Sequence, residues 1–444
     1  MNSALAAVIG LLLSIVLIIK KVSPVFSLML GAVVGGLLAG WGLETTVAQM
    51  ISGVKDITPA IVRILAAGVL TGMLVKTGAA STIAHSIIKA LGEKYIYLAL
   101  ALSAMILTGM GVFIDVAVIT IAPIAIIMGN KLQLSKMKLL LAMIGGGKCG
   151  NILSPNPNTI IAAENFDAPL SSVMAAGIVP ALIGLAVTVF VIIPLIPKEK
   201  PTSLEGEEAK GNVAKGDKAR GDKAPHDTSA VGDPDVAKGE EKLPALWRSL
   251  LGPIVTIILL ALRPIAGIVI DPMIALPIGG VVGIIATAKW RDTAACLTYG
   301  LEKMSGIAIL LVGTGTLAGI IKASAIKDVL VGMLAGWSNG GTFMAPIAGA
   351  LMSAATASTT AGATIASASF GGAILAAGVT AVWGAAMTNA GATTLDHLPH
   401  GSFFHATGGS MGFSVSERLR LIPYETLVGL ILTLGSIGVY FVLG

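Results

Sequence analysis

The chain has 444 residues, of which 55% are hydrophobic and 12% are charged, and its mean hydropathy is +0.89. About a quarter of the residues of a soluble domain are charged, so the composition excludes an ordinary soluble enzyme or binding domain. The net charge of +5 does not indicate nucleic-acid binding, because lysines and arginines flank apolar segments and form no basic stripe interleaved with aromatic residues.

Apolar runs recur along the chain, and many are long enough to cross a bilayer. The first run is followed, not preceded, by Lys20 and Lys21, which is typical of a membrane helix and not of a cleaved signal peptide. Residues 44–58 and 291–303 mix polar and apolar side chains and are interpreted as interfacial helices or as arms that link membrane helices. We expect an all-α, polytopic protein of the inner (plasma) membrane, surrounded by lipid. The apolar segments are 3–19, 25–43, 60–77, 95–113, 113–129, 138–163, 171–196, 249–270, 272–288, 305–322, 325–337, 341–356, 361–377, 378–394 and 422–443.

A charged segment divides the chain near its middle. Residues 198–246 are rich in charged residues, glycine, proline and alanine and contain no Phe, Trp or Tyr. Such a segment buries too little apolar surface to offset the entropy of ordering, so it predicts a flexible hydrophilic loop. The loop separates a first membrane half, 1–197, from a second, 247–444.

The two halves resemble each other in the order of their features. The segment around Lys76 is similar to the segment around Lys322, and each half then contains two polar interruptions of apolar sequence. Paired interruptions in corresponding positions are the best sequence indication of a transporter binding site, and an odd number of crossings per half would invert the repeats. Sequence identity is low, so chance similarity is the alternative. The interruptions are 107–123 and 145–161 in the first half and 351–367 and 388–404 in the second.

Proline breaks the apolar sequence at residues 152–163. Pro155 and Pro157 lack an N–H group and disfavour helix in the preceding residue, while helix resumes near Thr159. The first N–H groups of the new helix form an anion site. Non-helical backbone at membrane depth is tolerated where it lines a cavity, and a surface loop is the alternative. The candidate substrate-binding residues here are Ser154, Asn156, Asn158 and Thr159.

Asp115 lies within the apolar sequence MGVFIDVAVITIAP. An acidic residue inside a membrane segment is a functional hypothesis by default, and a desolvated carboxylate takes up a proton readily. A helix-capping role after Gly111 is the alternative. The corresponding interruption of the second half is rich in hydroxyl groups, which suit a polyol or a cation, or which simply pack helices closely. The hydroxyl candidates are Thr356, Ser358, Thr359 and Thr360, joined by Thr393 from the last interruption.

Three of the chain's five histidines, His397, His400 and His405, lie in the last interruption or directly after it. Imidazole titrates near neutral pH, so we expect a proton-coupling site formed by Asp396, His397 and His400, with a polar surface loop as the alternative. No Cys or Glu joins the histidines at ligand spacing, so no metal is expected. Lys148 is followed by Cys149, where a phosphate-binding loop needs Ser or Thr, so no nucleotide cofactor is expected. This lysine is interpreted as a partner of a substrate carboxylate or as a residue that reaches the membrane interface.

Together these elements resemble the gluconate permease family of bacterial carriers, over nearly the whole chain outside 198–246. The resemblance rests on the acid in a Gly-rich break, from Gly111 through Asp115 to Pro123, on the Pro155-Asn156-Pro157 break, and on the element from Ser402 to His405. The family's best-known members have His at the position of Asn156 and usually Glu at the position of Asp115.

The resemblance implies proton symport and kinship with elevator-type anion carriers, which have two inverted repeats, two broken helices and two re-entrant hairpins. The hairpins would lie within 95–129 and 341–377. We therefore predict proton symport of a small hydroxylated carboxylate, such as a gluconate-like sugar acid, by a homodimer. The alternatives are sodium-coupled uptake of an organic anion or a D-serine-like amino acid, and cation/proton antiport. No HExxH motif or nucleophile constellation indicates an enzyme.

Overall fold

The structure, a computed structural model, describes residues 2–197, 243–334 and 339–444. The described residues form helices and no β-strand. The helices of the first half are α1 (Ser3–Ile19), α2 (Pro24–Leu38), α3 (Leu43–Lys76), α4 (Ala79–Leu91), α5 (Ile96–Gly109), α6 (Ile114–Leu132), α7 (Lys136–Asn151), α8 (Pro157–Asn165) and α9 (Leu170–Leu195).

The second half follows the same order of long, short and broken helices. Most of the predicted loop, 198–242, lies outside the described residues. Its last residues are ordered, because Thr82 Oγ1 donates to the Pro244 carbonyl at 3.0 Å. The helices are α10 (Leu246–Ala266), α11 (Pro272–Ala286), α12 (Thr293–Ala323), α13 (Ile326–Leu334), α14 (Gly340–Thr356), α15 (Thr359–Ala376), α16 (Ala381–Ala392), α17 (Ser402–Ser410), α18 (Val415–Leu419) and α19 (Ile422–Leu443).

The described helices confirm the prediction of a multi-pass membrane protein. Six spans are long and apolar enough to cross a bilayer, and the bent pair α4–α5 would make a seventh. Helices α10 and α19 expose large apolar side chains, such as Ile258 and Leu434, as expected where the surroundings are lipid. The six spans are Leu43–Lys76, Ile114–Leu132, Leu170–Leu195, Leu246–Ala266, Trp290–Ala323 and Val415–Leu443.

Two long helices, α3 and α12, cross each other at glycines. The mixed segments 44–58 and 291–303 are not separate interfacial helices, because each continues directly into the apolar helix that follows it. A Cβ atom at Gly300 would overlap the Gly68 carbonyl, and one at Gly72 would overlap the Cys296 carbonyl. Small residues thus let the two backbones touch, as is common where membrane helices pack.

A helix–turn–helix pair packs against a broken helix in each half. Helices α5 and α6 are joined by residues 110–113, and α14 and α15 by residues 357–358. These pairs match the two stretches predicted to hold hairpins. In the first half Gly146 and Gly150 of α7 lie against the backbone of α5, and in the second Gly391 of α16 lies against Pro346 of α14. Both hairpins therefore approach a broken helix closely, while the inverted repeat stays a prediction.

The crossing of α3 and α12 generates a stability prediction. We expect Gly300→Val to push the two helices apart and to lower the free energy of unfolding by about 1–3 kcal/mol, a typical cost of overpacking. Gly306→Val on the same helix is the matched control, because a Cβ atom there meets nothing within 4 Å. Melting temperatures in detergent compare the two variants, and equal values would contradict the crossing.

Candidate functional site

The first break separates α7 from α8. The chain leaves the helix at Asn151 and re-enters it at Pro157, which occupies the first helical turn, where its missing N–H costs nothing. Asn156 caps the new helix, since its Oδ1 accepts from the Thr159 N–H at 3.2 Å. Its Nδ2 donates to the Asn151 carbonyl at 3.0 Å. The Asn156 amide is therefore used within the break itself, and Asn156 holds the start of α8.

The second break separates α16 from α17. Residues 393–401 join the two helices, and most of them are buried. Asp396 is 2% exposed and His397 is fully buried. His400, by contrast, is exposed, as is His405, whose Nε2 lies 2.8 Å from the Pro399 carbonyl. The three histidines of this region thus do not form one cluster.

The two breaks meet in the interior, although they are more than 200 residues apart in sequence. Asn158 of α8 donates through Nδ2 to Asn389 Oδ1 of α16 at 2.7 Å. Asn389 in turn donates through Nδ2 to Thr159 Oγ1 at 3.1 Å. Asn158, Thr159 and Asn389 are all buried, so this amide–hydroxyl chain satisfies polar groups that neither lipid nor apolar side chains can satisfy.

Lys148 makes a second connection between the breaks. Its ammonium, fully buried on α7, donates to the Thr393 carbonyl and to Asp396 Oδ1, both at 2.6 Å. His397 Nδ1 lies 3.0 Å from the same Nζ. From the sequence, Lys148 is interpreted as a partner of a substrate carboxylate or as a residue that reaches the membrane interface. In the structure its ionic partner is instead Asp396, a carboxylate of the other half of the chain.

The tip of the second hairpin lies against the second break. Thr359 Oγ1 donates to Asp396 Oδ2 at 2.5 Å, and Gly401 packs against the backbone of Ala357. Ser358 caps α15, since its Oγ accepts from the Ala361 N–H. The other hydroxyl candidates predicted from the sequence, Thr356, Thr360 and Thr393, also lie in this region. Thr356, Ser358, Thr359 and Thr360 are all half-buried, whereas Thr393 is fully buried.

The tip of the first hairpin lies between the first break and α3. Thr71 Oγ1 of α3 donates to the Gly111 carbonyl at 3.0 Å, and Leu153 lies beside Gly109. Asp115 occupies the first turn of α6 and is half-buried. Among the described residues no other side chain forms a hydrogen bond or salt bridge with its carboxylate, although Lys303 is near enough to attract it electrostatically.

Helix α19 completes the buried polar cluster, a role that no sequence pattern indicated. His397 Nε2 lies 3.1 Å from the Ile422 carbonyl and from Thr426 Oγ1. Arg418 and Glu425 form a buried ion pair, and the Arg418 guanidinium also lies over the Phe404 ring. Arg418 and Glu425 lie close to the interrupted segment only in the folded chain, so no local pattern marks them.

A separate ionic contact joins the long helix α3 to the broken-helix region. Arg63 forms salt bridges with Glu164, at the end of α8, and with Asp271, which caps α11. The hydrogen bond from Arg63 holds the pKa of Asp271 below its usual range. A cavity of about 440 Å³ lies nearby, between α3 and α12 on one side and α8 and α15 on the other.

Four helices begin at these breaks and tips, namely α6, α8, α15 and α17. Each N-terminus carries the positive end of a helix dipole, which favours an anion. Asn156 and Ser358 already use one N–H group each in α8 and α15, and the Asp115 carboxylate accepts from the first N–H groups of α6. Within the described residues no group of His, Cys, Asp and Glu has the geometry of a metal site. The arrangement is therefore suited to bind an anionic molecule.

Comparisons with known proteins agree with this arrangement. The model of the GntP family permeases matches residues 2–443. An uncharacterized transporter of Haemophilus influenzae is 49% identical over 435 residues, which cover 98% of this chain and 97% of the relative. The Gnt-II system L-idonate transporter of Escherichia coli is 24% identical over 463 residues, which cover 99% of each chain.

Further matches are partial or structural. A gluconate permease of Pseudomonas aeruginosa is 29% identical over 182 residues, which cover 40% of each chain. The crystal structure of the Alcanivorax borkumensis YdaH transporter, described as having an unusual topology, superposes with a TM-score of 0.57 and 14% identity. It covers 90% of this chain and 88% of its own, and at this identity it supports the fold alone.

The contact between the breaks predicts non-additive stability. Asn158→Ala and Asn389→Ala each leave a buried polar partner unpaired, at a cost of about 1–3 kcal/mol. The second substitution removes a group already unpaired, so the double variant should lose less than the sum, by about 0.5–3 kcal/mol. Thermal unfolding of the four proteins in detergent measures this coupling.

The control pairs Asn158→Ala with Thr287→Ala. Thr287 donates within its own helix, to Gly283 at 2.8 Å. Those two substitutions should be additive, and additivity of the Asn158 and Asn389 variants as well would contradict the contact.

Proposed function

This chain belongs to the GntP permease family, and we propose that it takes up a small hydroxylated carboxylate together with a proton. The observation that carries this proposal is the meeting of two buried breaks and two hairpin tips where four helix N-termini begin. A carboxylate suits these positive helix ends, as in other carriers with discontinuous helices. Relatives named as gluconate and L-idonate transporters favour a sugar acid.

The substrate hydroxyls need polar partners that the protein does not already use. Ser154 Oγ in the first break and Thr388 Oγ1 beside the second are buried without a hydrogen-bond partner among the described residues. Buried polar groups are normally satisfied, so unpaired ones in this position fit a ligand that supplies the missing bonds. The half-buried hydroxyls of Thr356, Ser358 and Thr360 add a polar surface at the neighbouring tip.

Within the candidate site, Asp115 is the best candidate for the transported proton. Asp396 is neutralised by Lys148 at 2.6 Å, so its charge is already balanced. Asp115 has no ion pair of this kind among the described residues and stands in an apolar first turn of α6. Proton uptake there would offset the substrate's negative charge. We assign Asp396 and His397 to the cluster that holds the break, and His400, being exposed, lies apart from it.

Movement of the broken-helix core past α3 and α12 would give alternating access. The 440 Å³ cavity between the two groups of helices leaves room for displacement, whereas the close glycine contacts lie within each group and would hold it together as it moves. Arg63, which bridges α3 and α8, would then change partner during the cycle. This elevator-type motion is part of the proposal.

The proposed substrate class is tested with purified protein in proteoliposomes. We expect gluconate, L-idonate or a shorter hydroxy acid to be accumulated under an imposed proton gradient and to raise the melting temperature. A sodium gradient imposed alone is the control for coupling, and D-serine is the control for substrate class. Accumulation driven only by sodium would refute proton symport, and uptake of D-serine without any hydroxy acid would refute the substrate class.

The role of Asp115 is tested by Asp115→Asn, which keeps the shape but binds no proton. We expect accumulation under the proton gradient to fall to near background, whereas exchange of labelled for unlabelled substrate persists. Asp328→Asn is the matched control, because Asp328 also lies in a first helical turn, that of α13, but is exposed. Accumulation by Asp115→Asn equal to that of the wild type would overturn the assignment.

A further inference from the structure

Lys148 occupies a site that has the composition of a cation site. Its Nζ lies 2.6 Å from the Thr393 carbonyl, 2.6 Å from Asp396 Oδ1 and 3.5 Å from the Glu425 carbonyl. Unwound carbonyls and the C-terminal ends of half-helices are the groups that bind coupling cations in carriers with broken helices. Thr393 directly follows the C-terminal end of α16, so the ammonium lies where the negative end of a helix dipole adds to the carboxylate charge.

The hydrogen-bond partners define the charge of this cluster. The Lys148 ammonium donates, and its Nζ lies 3.0 Å from His397 Nδ1, which also lies 3.2 Å from Asp396 Oδ1. On the other side of the ring, His397 Nε2 lies 3.1 Å from the Ile422 carbonyl and from Thr426 Oγ1. The ion pair between Lys148 and Asp396, at 2.6 Å, is the contact that balances this carboxylate.

The charges of the second break balance without an external ion. Asp396 uses Oδ1 for Lys148 and Oδ2 for Thr359, so both carboxylate oxygens are occupied. Glu425 is paired with Arg418, and this second pair is also buried. A metal cation would therefore compete with a covalently attached ammonium for the same oxygens, and it would bring an uncompensated charge into the interior.

We propose that Lys148 is a built-in cation of the second break, which occupies the place of a coupling sodium ion and makes uptake by this chain independent of sodium. The proposal rests on the proposed function as a carboxylate carrier. Because the ammonium is attached to α7, it remains in the protein throughout the cycle and cannot be co-transported. Lys148 acts through Asp396 and the break, so it is a positioning residue that need not touch the substrate.

The test compares two substitutions that differ in the space they leave. Lys148→Ala removes the charge and opens a hole beside Asp396, whereas Lys148→Gln removes the charge but fills most of the volume. Breaking a buried pair from one side is strongly destabilising, so both variants should lose most of their uptake. Methylammonium or sodium should restore part of the uptake of Lys148→Ala and none of that of Lys148→Gln.

A binding measurement accompanies the uptake assay and does not depend on the substrate. Methylammonium should raise the melting temperature of Lys148→Ala by about 2 °C or more, as expected for a ligand bound to the folded state, and leave wild type and Lys148→Gln unchanged. A position that no free cation can enter would show neither rescue nor this selective shift. Equal responses of the two variants would overturn the proposal.

The wild-type protein supplies a further arm, which stands even if Lys148→Ala is not recovered from the membrane. Uptake driven by a proton gradient should be the same in sodium buffer and in sodium-free choline buffer, and a requirement for sodium would overturn the proposal. Wild-type-like uptake by a folded Lys148→Gln would also overturn it. Selective stabilisation by methylammonium without transport of any carboxylate would instead refute the proposed function and leave the cation site standing.

Discussion

The polar backbone of two broken helices must be satisfied away from water, and the rest of the structure depends on how this is achieved. Unpaired N–H and C=O groups at membrane depth cost several kcal/mol each, by rough general estimates. This chain satisfies the breaks partly from within, as Asn156 does, and partly with groups from the other break and its neighbours. Asn158 and Asn389 connect the breaks by a hydrogen bond, and Lys148 and Asp396 connect them by an ion pair.

This mutual satisfaction explains why the hairpins lie where they do. The tip of the second hairpin contributes a further partner to its break, since Thr359 donates to Asp396. The close approach this requires is possible because glycines such as Gly146 and Gly391 stand at the contacts. The high glycine content of the chain, 55 residues, thus has a structural purpose at positions where any larger residue would separate the helices.

Electrostatics then divides the acidic residues of the site into two kinds. Asp396 is balanced by Lys148 and belongs to the framework that holds the breaks together. Asp115 has no such partner among the described residues, which is why it is the proposed site of proton uptake. The positive ends of the helices that begin at the breaks and tips favour an anion, which supports the proposal of a carboxylate substrate.

The sequence by itself determined the class of the protein, since repeated apolar segments of this length are typical of membrane helices. The Pro155-Asn156-Pro157 spacing marked one interruption, although single prolines such as Pro59 and Pro123 lie inside helices. The sequence located the two polar interruptions at which the helices break, because composition and proline spacing are local signals, whereas the expected positions of the hairpins came from the family resemblance. Asp396 and His397 were named from the polar composition of the second interruption. The tertiary structure alone decided which of these groups meet: that Asn156 caps a helix, that His400 is exposed, and that Lys148, Arg418 and Glu425 belong to the buried polar cluster. These pairings join residues that are far apart in sequence, or they depend on burial. No local sequence pattern therefore shows which polar groups the folded chain brings together in the interior, away from water.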